Sequence, residues 1–151
     1  ASAQMVDPLQ ERKTQTIPLE LIAVAGALAS LLTQLAGRDV LLLCDNQAVC
    51  AAVAKGTSKA LDLQMLVTAL HAFCHNLHIS FWIEWVPTKA NPADELSRAG
   101  TSPYCYEVVP LQVPAWAVAR PADLASVLQR DSVYPLTACG GIRPVRRAEN
   151  P

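Results

Sequence analysis

Glu20, Asp45 and Asp94 are three acids in positions that packing alone does not call for. Glu20 shares a helical face with Ala23, Val24, Ala27, Leu28 and Leu31, which places its carboxylate at the mouth of an apolar stripe. Asp45 follows the apolar run Val40 to Cys44 on the side of Leu41 and Leu43, at the carboxyl end of an expected strand. Open α/β sheets place their ligand sites there. Asp94 is the third residue of a helix expected after Asn91, where free backbone N–H groups and the macrodipole stabilise an anion. Each acid alone has a plain structural role open to it: a first-turn acid, a cap, an exposed entrance residue. As a set they are hard oxygen donors, and clustered carboxylates repel one another unless cations neutralise them, which suits Mg²⁺ or Mn²⁺. Two such ions about 3.5 to 4 Å apart clamp the attacking and leaving oxygens of a phosphodiester displacement.

The elements that must position these acids are legible from periodicity. Thr16-Ile17-Pro18 opens a helix with proline near its first turn, where the missing N–H costs little; the helix runs to Leu35 and Gly37 ends it. Val40 to Cys44 reads as a strand buried on both faces, as in a central parallel sheet. Ala48 to Ala54 reads as a short helix and Lys55-Gly56-Thr57-Ser58 as a loop. Leu63, Leu66, Leu70, Phe73 and Leu77 recur at spacings of three and four, which predicts a second long helix over Leu61 to Leu77. Ile79, Phe81, Ile83 and Trp85 then alternate with other residues in a strand that ends at Pro87, with Phe81 and Trp85 expected in the core. Asn91 and Pro92 read as the N-cap and first residue of a last helix. The order helix, strand, helix, strand, helix is that of an α/β fold.

Composition bounds the rest. The 151 residues are 52% hydrophobic and 17% charged, enough apolar content for one ordinary domain and too little charge for disorder. Prolines crowd the residues after Arg98, so a body over 1–98 is expected to be followed by a proline-rich tail or linker over 99–151. Within that tail Pro114-Ala115-Trp116 and the amphipathic stretch Asp123 to Arg130 could dock on the body or on a following domain. Leu21 to Leu32 is interrupted by Gly26 and Ser30 and falls short of the roughly 20 apolar residues of a membrane span. The five cysteines are odd in number with no CxxC spacing and the start lacks a secretory pattern, so an intracellular, reducing location (cytoplasmic or nuclear) is expected. Twelve basic against thirteen acidic side chains make no field that would gather nucleic acid non-specifically, so any such binding must be local.

The segments Ile17-Pro18-Leu19-Glu20-Leu21-Ile22-Ala23-Val24, Leu43-Cys44-Asp45-Asn46-Gln47-Ala48-Val49, Lys55-Gly56-Thr57-Ser58 and Val86-Pro87-Thr88-Lys89-Ala90-Asn91-Pro92-Ala93-Asp94-Glu95-Leu96-Ser97-Arg98 occur in that order. Together they resemble the ribonuclease H domain of retroelement reverse transcriptases, in the flavour of DIRS-type and gypsy-like elements. The resemblance covers roughly residues 14 to 98. It implies a ribonuclease H-like mixed sheet with flanking helices, metal-dependent hydrolysis of RNA in RNA/DNA hybrids, and an adjacent polymerase domain in a polyprotein. It also implies that Glu20, Asp45 and Asp94 are the second, third and fourth carboxylates of a set holding two Mg²⁺ (or Mn²⁺) ions, with Asn46, Lys55, Lys89 and Asn91 near the nucleic acid. The family's first carboxylate lies on an antiparallel strand some tens of residues before the helix glutamate. Only nineteen residues precede Glu20, and Asp7, followed by Pro8, is a poor substitute. The first strands are therefore expected to be largely missing from the chain and its activity alone to be impaired. A reading of a different class is a non-catalytic remnant that keeps the scaffold as a tether or hybrid-binding domain; a generic α/β fold with accidental motif matches is a third.

Other chemistry-bearing residues have simpler readings. His71 and His75 are four apart, the spacing of a two-histidine zinc pair, with Cys74 and His78 alongside. No HExxH glutamate sits between them, and a helix-end histidine cluster is the commoner outcome. Trp82, on the face opposite Phe81, is the aromatic residue best placed to stack a base.

Overall fold

The computed structural model describes residues 9, 13, 15–91, 93, 109–120, 123, 124, 126 and 127. Among them the chain forms four helices and a small parallel sheet, a mixed α/β arrangement: α1 (Thr16–Ser30), α2 (Leu32–Leu35), β1 (Asp39–Cys44), α3 (Gln47–Lys55), α4 (Leu61–Asn76) and β2 (Ser80–Trp85). Two 3-10 turns follow, Thr88–Ala90 and Ala115–Val118. No helix among the described residues is long and apolar enough to cross a membrane.

Helix α1 begins as expected, with Pro18 inside the first turn, where its absent N–H is one the helix leaves unpaired anyway. It does not run unbroken to Leu35. Ser30 donates its hydroxyl to the Gly26 carbonyl at 2.7 Å, a back-bond that bends helices, and the helix breaks at Leu31 before resuming as α2. Gly37 then adopts φ +71°, a left-handed conformation cheap only for glycine, and its N–H donates to the Leu77 carbonyl, tying the end of α2 to the end of α4.

β1 and β2 pair in parallel, Asp39 opposite Ser80 through Cys44 opposite Trp85. Val40, Leu42 and Cys44 face the helices together with Phe81 and Ile83. The opposite face carries Leu41 beside Trp82, exposed by 63% and 67%. The expectation that Val40 to Cys44 is buried on both faces is thus overturned. Helices cover one side of a sheet that has two strands among the described residues, so the alternate leucines meet solvent.

The core lies between that covered face and α1, α3 and α4, around Leu21, Leu28, Val49, Val67 and Leu70. The stripe of α1 that enters it is Leu21, Ile22, Ala25, Leu28 and Ala29, rather than the face shared with Glu20: Ala23 and Ala27 are exposed, and Val24 and Leu31 half-buried. Glu20 therefore sits on the flank of the buried stripe. The core also takes in Trp116, 2% exposed, whose ring meets Phe73 with centroids 5.7 Å apart. Of the two docking partners open to Pro114-Ala115-Trp116, the body is the one Trp116 meets. Gly26 opens the way for it, since a Cβ there would stand 3.0 Å from Leu111 Cδ1, and the Gln112 N–H donates to Ser30 Oγ at 2.7 Å.

Candidate metal centre

The turn after β1 builds the site. Asn46 is the N-cap of α3: its extended backbone precedes the first helical residue, and its Oδ1 accepts the N–H groups of Ala48 at 3.0 Å and Val49 at 3.3 Å. The same side chain lines the cleft beside Glu20 and favours the ionised form of its carboxylate. Asp45 sits between strand and cap, and its backbone carbonyl accepts the indole N–H of Trp85 at 3.1 Å. Glu20, Asp45, Asn46, Gln47, Ala48, Trp85 and Thr88 line one open cleft at the carboxyl end of the sheet.

A carboxylate oxygen of Glu20, one of Asp45 and the Cys44 Sγ all lie within 4.8 Å of one another. Burial pushes the Glu20 carboxyl above its ordinary range; the Asn46 hydrogen bond pulls it back, and the charge of Asp45 pushes it up again. That repulsion is what a divalent cation would relieve. Two carboxylates plus water form an ordinary Mg²⁺ environment, so the oxygens present fit a hard cation. Cys44 is a softer donor that a hard cation does not need.

Glu20 and Asp45 are thus brought together from segments distant in sequence, with Asn46 between them. Asp94 lies outside the described residues. Lys89 is exposed in the 3-10 turn Thr88–Ala90, next to Thr88 in the cleft lining. Asn91 accepts the Ala93 N–H at 3.1 Å, the contact expected of an N-cap; Pro92 and the helix expected beyond it lie outside the described residues. Lys55 is not at the site. It ends α3, whose nine residues carry it about 13 Å along the axis from the Asn46 cap.

Two residues of the cleft escaped the sequence reading. Trp85 is 40% exposed rather than in the core, because the strand end it occupies pairs with Cys44 and lies beside Asp45. Its register opposite the residue before Asp45 was the available signal. Cys44 entered the sequence reading as the end of the apolar run Val40 to Cys44. The histidines take local roles instead of gathering: the His71 ring nitrogen Nε2 is 2.9 Å from the Val53 carbonyl with the ring against Phe81 at 5.3 Å, and His78 adopts φ +53° in the turn out of α4. Trp82 is exposed, its indole N–H donating to Glu84 at 3.1 Å. No protein-family model, curated protein or solved structure matches the chain.

Proposed function

We propose that the chain belongs to a metal-dependent nuclease of the ribonuclease H kind, acting on the RNA strand of an RNA/DNA hybrid as part of a retroelement reverse transcriptase. The observation that carries this reading is the convergence of Glu20 and Asp45 at the carboxyl end of a parallel strand pair, their carboxylate oxygens within 4.8 Å. The ordered motif resemblance supplies Asp94 as a third carboxylate and the hybrid as substrate. Two bound Mg²⁺ or Mn²⁺ ions would supply an activated water and charge stabilisation at the leaving oxygen. The chain's own residues do the positioning. Asn46 favours the ionised Glu20 carboxylate, Trp85 fixes the backbone at Asp45, and Lys89, exposed next to Thr88 of the cleft, would meet a phosphate. No protein nucleophile is required, because charge neutralisation and alignment carry the reaction.

The test is cleavage of a labelled RNA/DNA hybrid in Mg²⁺ and in Mn²⁺ by the chain, by a version extended upstream, and by Asp45→Asn in each. Metal-dependent cutting that Asp45→Asn lowers by more than about 100-fold supports the reading, since even outer-shell partners of metal ligands are worth 10- to 100-fold. Folded proteins that never cut would replace it with the non-catalytic scaffold.

A further inference from the structure

Cys44 distinguishes this centre from an all-oxygen one. It is 8% exposed, at the end of β1, and its Sγ is one of the three donor atoms that lie within 4.8 Å of one another. Its thiol donates to the Asn46 carbonyl at 3.9 Å, a long contact. A second buried thiol packs beside it: Cys50, in the first turn of α3, points its sulfur at the Cys44 carbonyl at 3.7 Å. The Cys44 sulfur thus lies within reach of two carboxylates, while its backbone carbonyl meets a second buried thiol.

We propose that Glu20, Cys44 and Asp45 form a site for one thiophilic divalent cation, Zn²⁺ or Cd²⁺, which competes with Mg²⁺ for the cleft. Thiolate ligands select zinc-like ions, whereas Mg²⁺ gains nothing from sulfur. Zinc bonds of about 2.3 Å to sulfur and 2.0 to 2.2 Å to oxygen set tetrahedral ligands about 3.3 to 3.7 Å apart. Donors within 4.8 Å of one another need only about 1 Å of closure to reach that spacing. On binding, the Cys44 S–H bond breaks, its proton passes to solvent, and the sulfur lone pair forms the metal bond. The three protein ligands leave the fourth position facing the open cleft, for water. Only the competition with Mg²⁺ rests on the proposed nuclease function; the thiophilic site stands on its own donors.

The experiment titrates Cd²⁺ into the full chain carrying Cys105→Ser and Cys139→Ser, reading the ultraviolet thiolate-to-cadmium charge-transfer band. Saturation at one equivalent is expected, with the band abolished by Cys44→Ser and the affinity lowered at least about 10-fold by Glu20→Gln or Asp45→Asn. Circular dichroism of each variant establishes folding, and Cys44→Ala serves should the serine variant not fold. An absent band in the folded parent, or a band that survives replacement of Cys44, overturns the proposal. Displacement of Cd²⁺ by excess Mg²⁺ supports the competition. A saturable Cd²⁺ site that Mg²⁺ never displaces overturns that competition, and with it the Mg²⁺ role of these carboxylates, while the thiophilic site remains.

Discussion

The Asn46 side chain caps helix α3 with its oxygen and stands beside Glu20 in the cleft, where it favours the ionised carboxylate, so one amide bears on both the start of α3 and the acid of α1. Two substitutions at Asn46 separate the two roles. Asn46→Ala loses both and should cost about 1 kcal/mol or more in urea unfolding, the usual worth of an N-cap. Asn46→Asp keeps the cap, since aspartate is an equally good N-cap, but turns a donor toward Glu20 into a third negative charge. That variant should unfold more easily than the parent without divalent ions and recover more stability than the parent when Mg²⁺ is added.

Glu20 gives stability a pH dependence of defined sign. Its folded pKa lies above the ordinary 4.5, first through burial. The favourable contribution of the protonated group is complete below the unfolded pKa and is lost as pH rises through the folded one. Glu20→Gln should therefore match the parent below pH 4.5 and become the more stable of the two above it. Because the carboxylate is only half-buried and screened by solvent, the gap should stay below about 1 kcal/mol. Thermal melts across that range at low salt measure it.

Trp116 offers a test of how much the docked segment matters. Truncation to alanine should cost about 3 to 5 kcal/mol, the usual range for a buried aromatic ring. Its indole N–H is buried with no hydrogen-bond partner among the described residues, and such a donor costs about 1 to 3 kcal/mol. Trp116→Phe removes the orphaned donor while keeping most of the ring against Phe73, so it should lose far less than Trp116→Ala in the same chemical denaturation experiment.

Gly26 separates propensity from packing. Alanine gains about 1 kcal/mol over glycine inside a helix, and the atom its Cβ would press, Leu111 Cδ1 at 3.0 Å, ends a side chain that is 67% exposed and able to rotate. Gly26→Ala should be neutral to slightly stabilising. Gly26→Leu should instead lift the segment around Leu111 and break the Gln112 to Ser30 hydrogen bond, seen as faster exchange of the Gln112 amide.

The buried thiols should resist alkylation. Burial pushes Cys74 up to about 12; burial, then the neighbouring Cys44, pushes Cys50 up to about 11. The thiolate is the nucleophile, so at neutral pH both should react slowly with iodoacetamide in the native chain and rapidly in urea. Peptide mapping by mass spectrometry distinguishes the two states.

Local pattern carried much of the architecture. The three-and-four spacing of Leu63, Leu66, Leu70 and Phe73 located α4 to within a residue, and Gly37 does turn left-handed where a stop was expected. The meeting of Glu20 with Asp45 followed from a helix start and a strand end, two places where residue type says much about position. Long-range partners were harder to read. Leu41 and Leu43 look the same whether a layer covers them or not, since apolarity states a preference and not a neighbour. Trp85 counted as core by alternation alone, yet its ring turns to the Asp45 carbonyl at the mouth of the cleft and stays 40% exposed. The break at Leu31 depends on Ser30 turning its hydroxyl back and receiving Gln112 from far along the chain, which no window of sequence contains.

The parallel pairing of β1 with β2 also sets a constraint on how the chain reaches this structure. Asp39 meets Ser80, so no hairpin can start the sheet, and the loop that closes it spans α3 and α4. Closing so long a loop costs chain entropy before any ladder bond repays it. The two intervening helices must shorten that path first, which makes the Asn46 cap and the α4 core residues the natural early contacts of folding. The carboxylate pair at the end of β1 would then be assembled late, after the strands have zipped to Cys44 and Trp85.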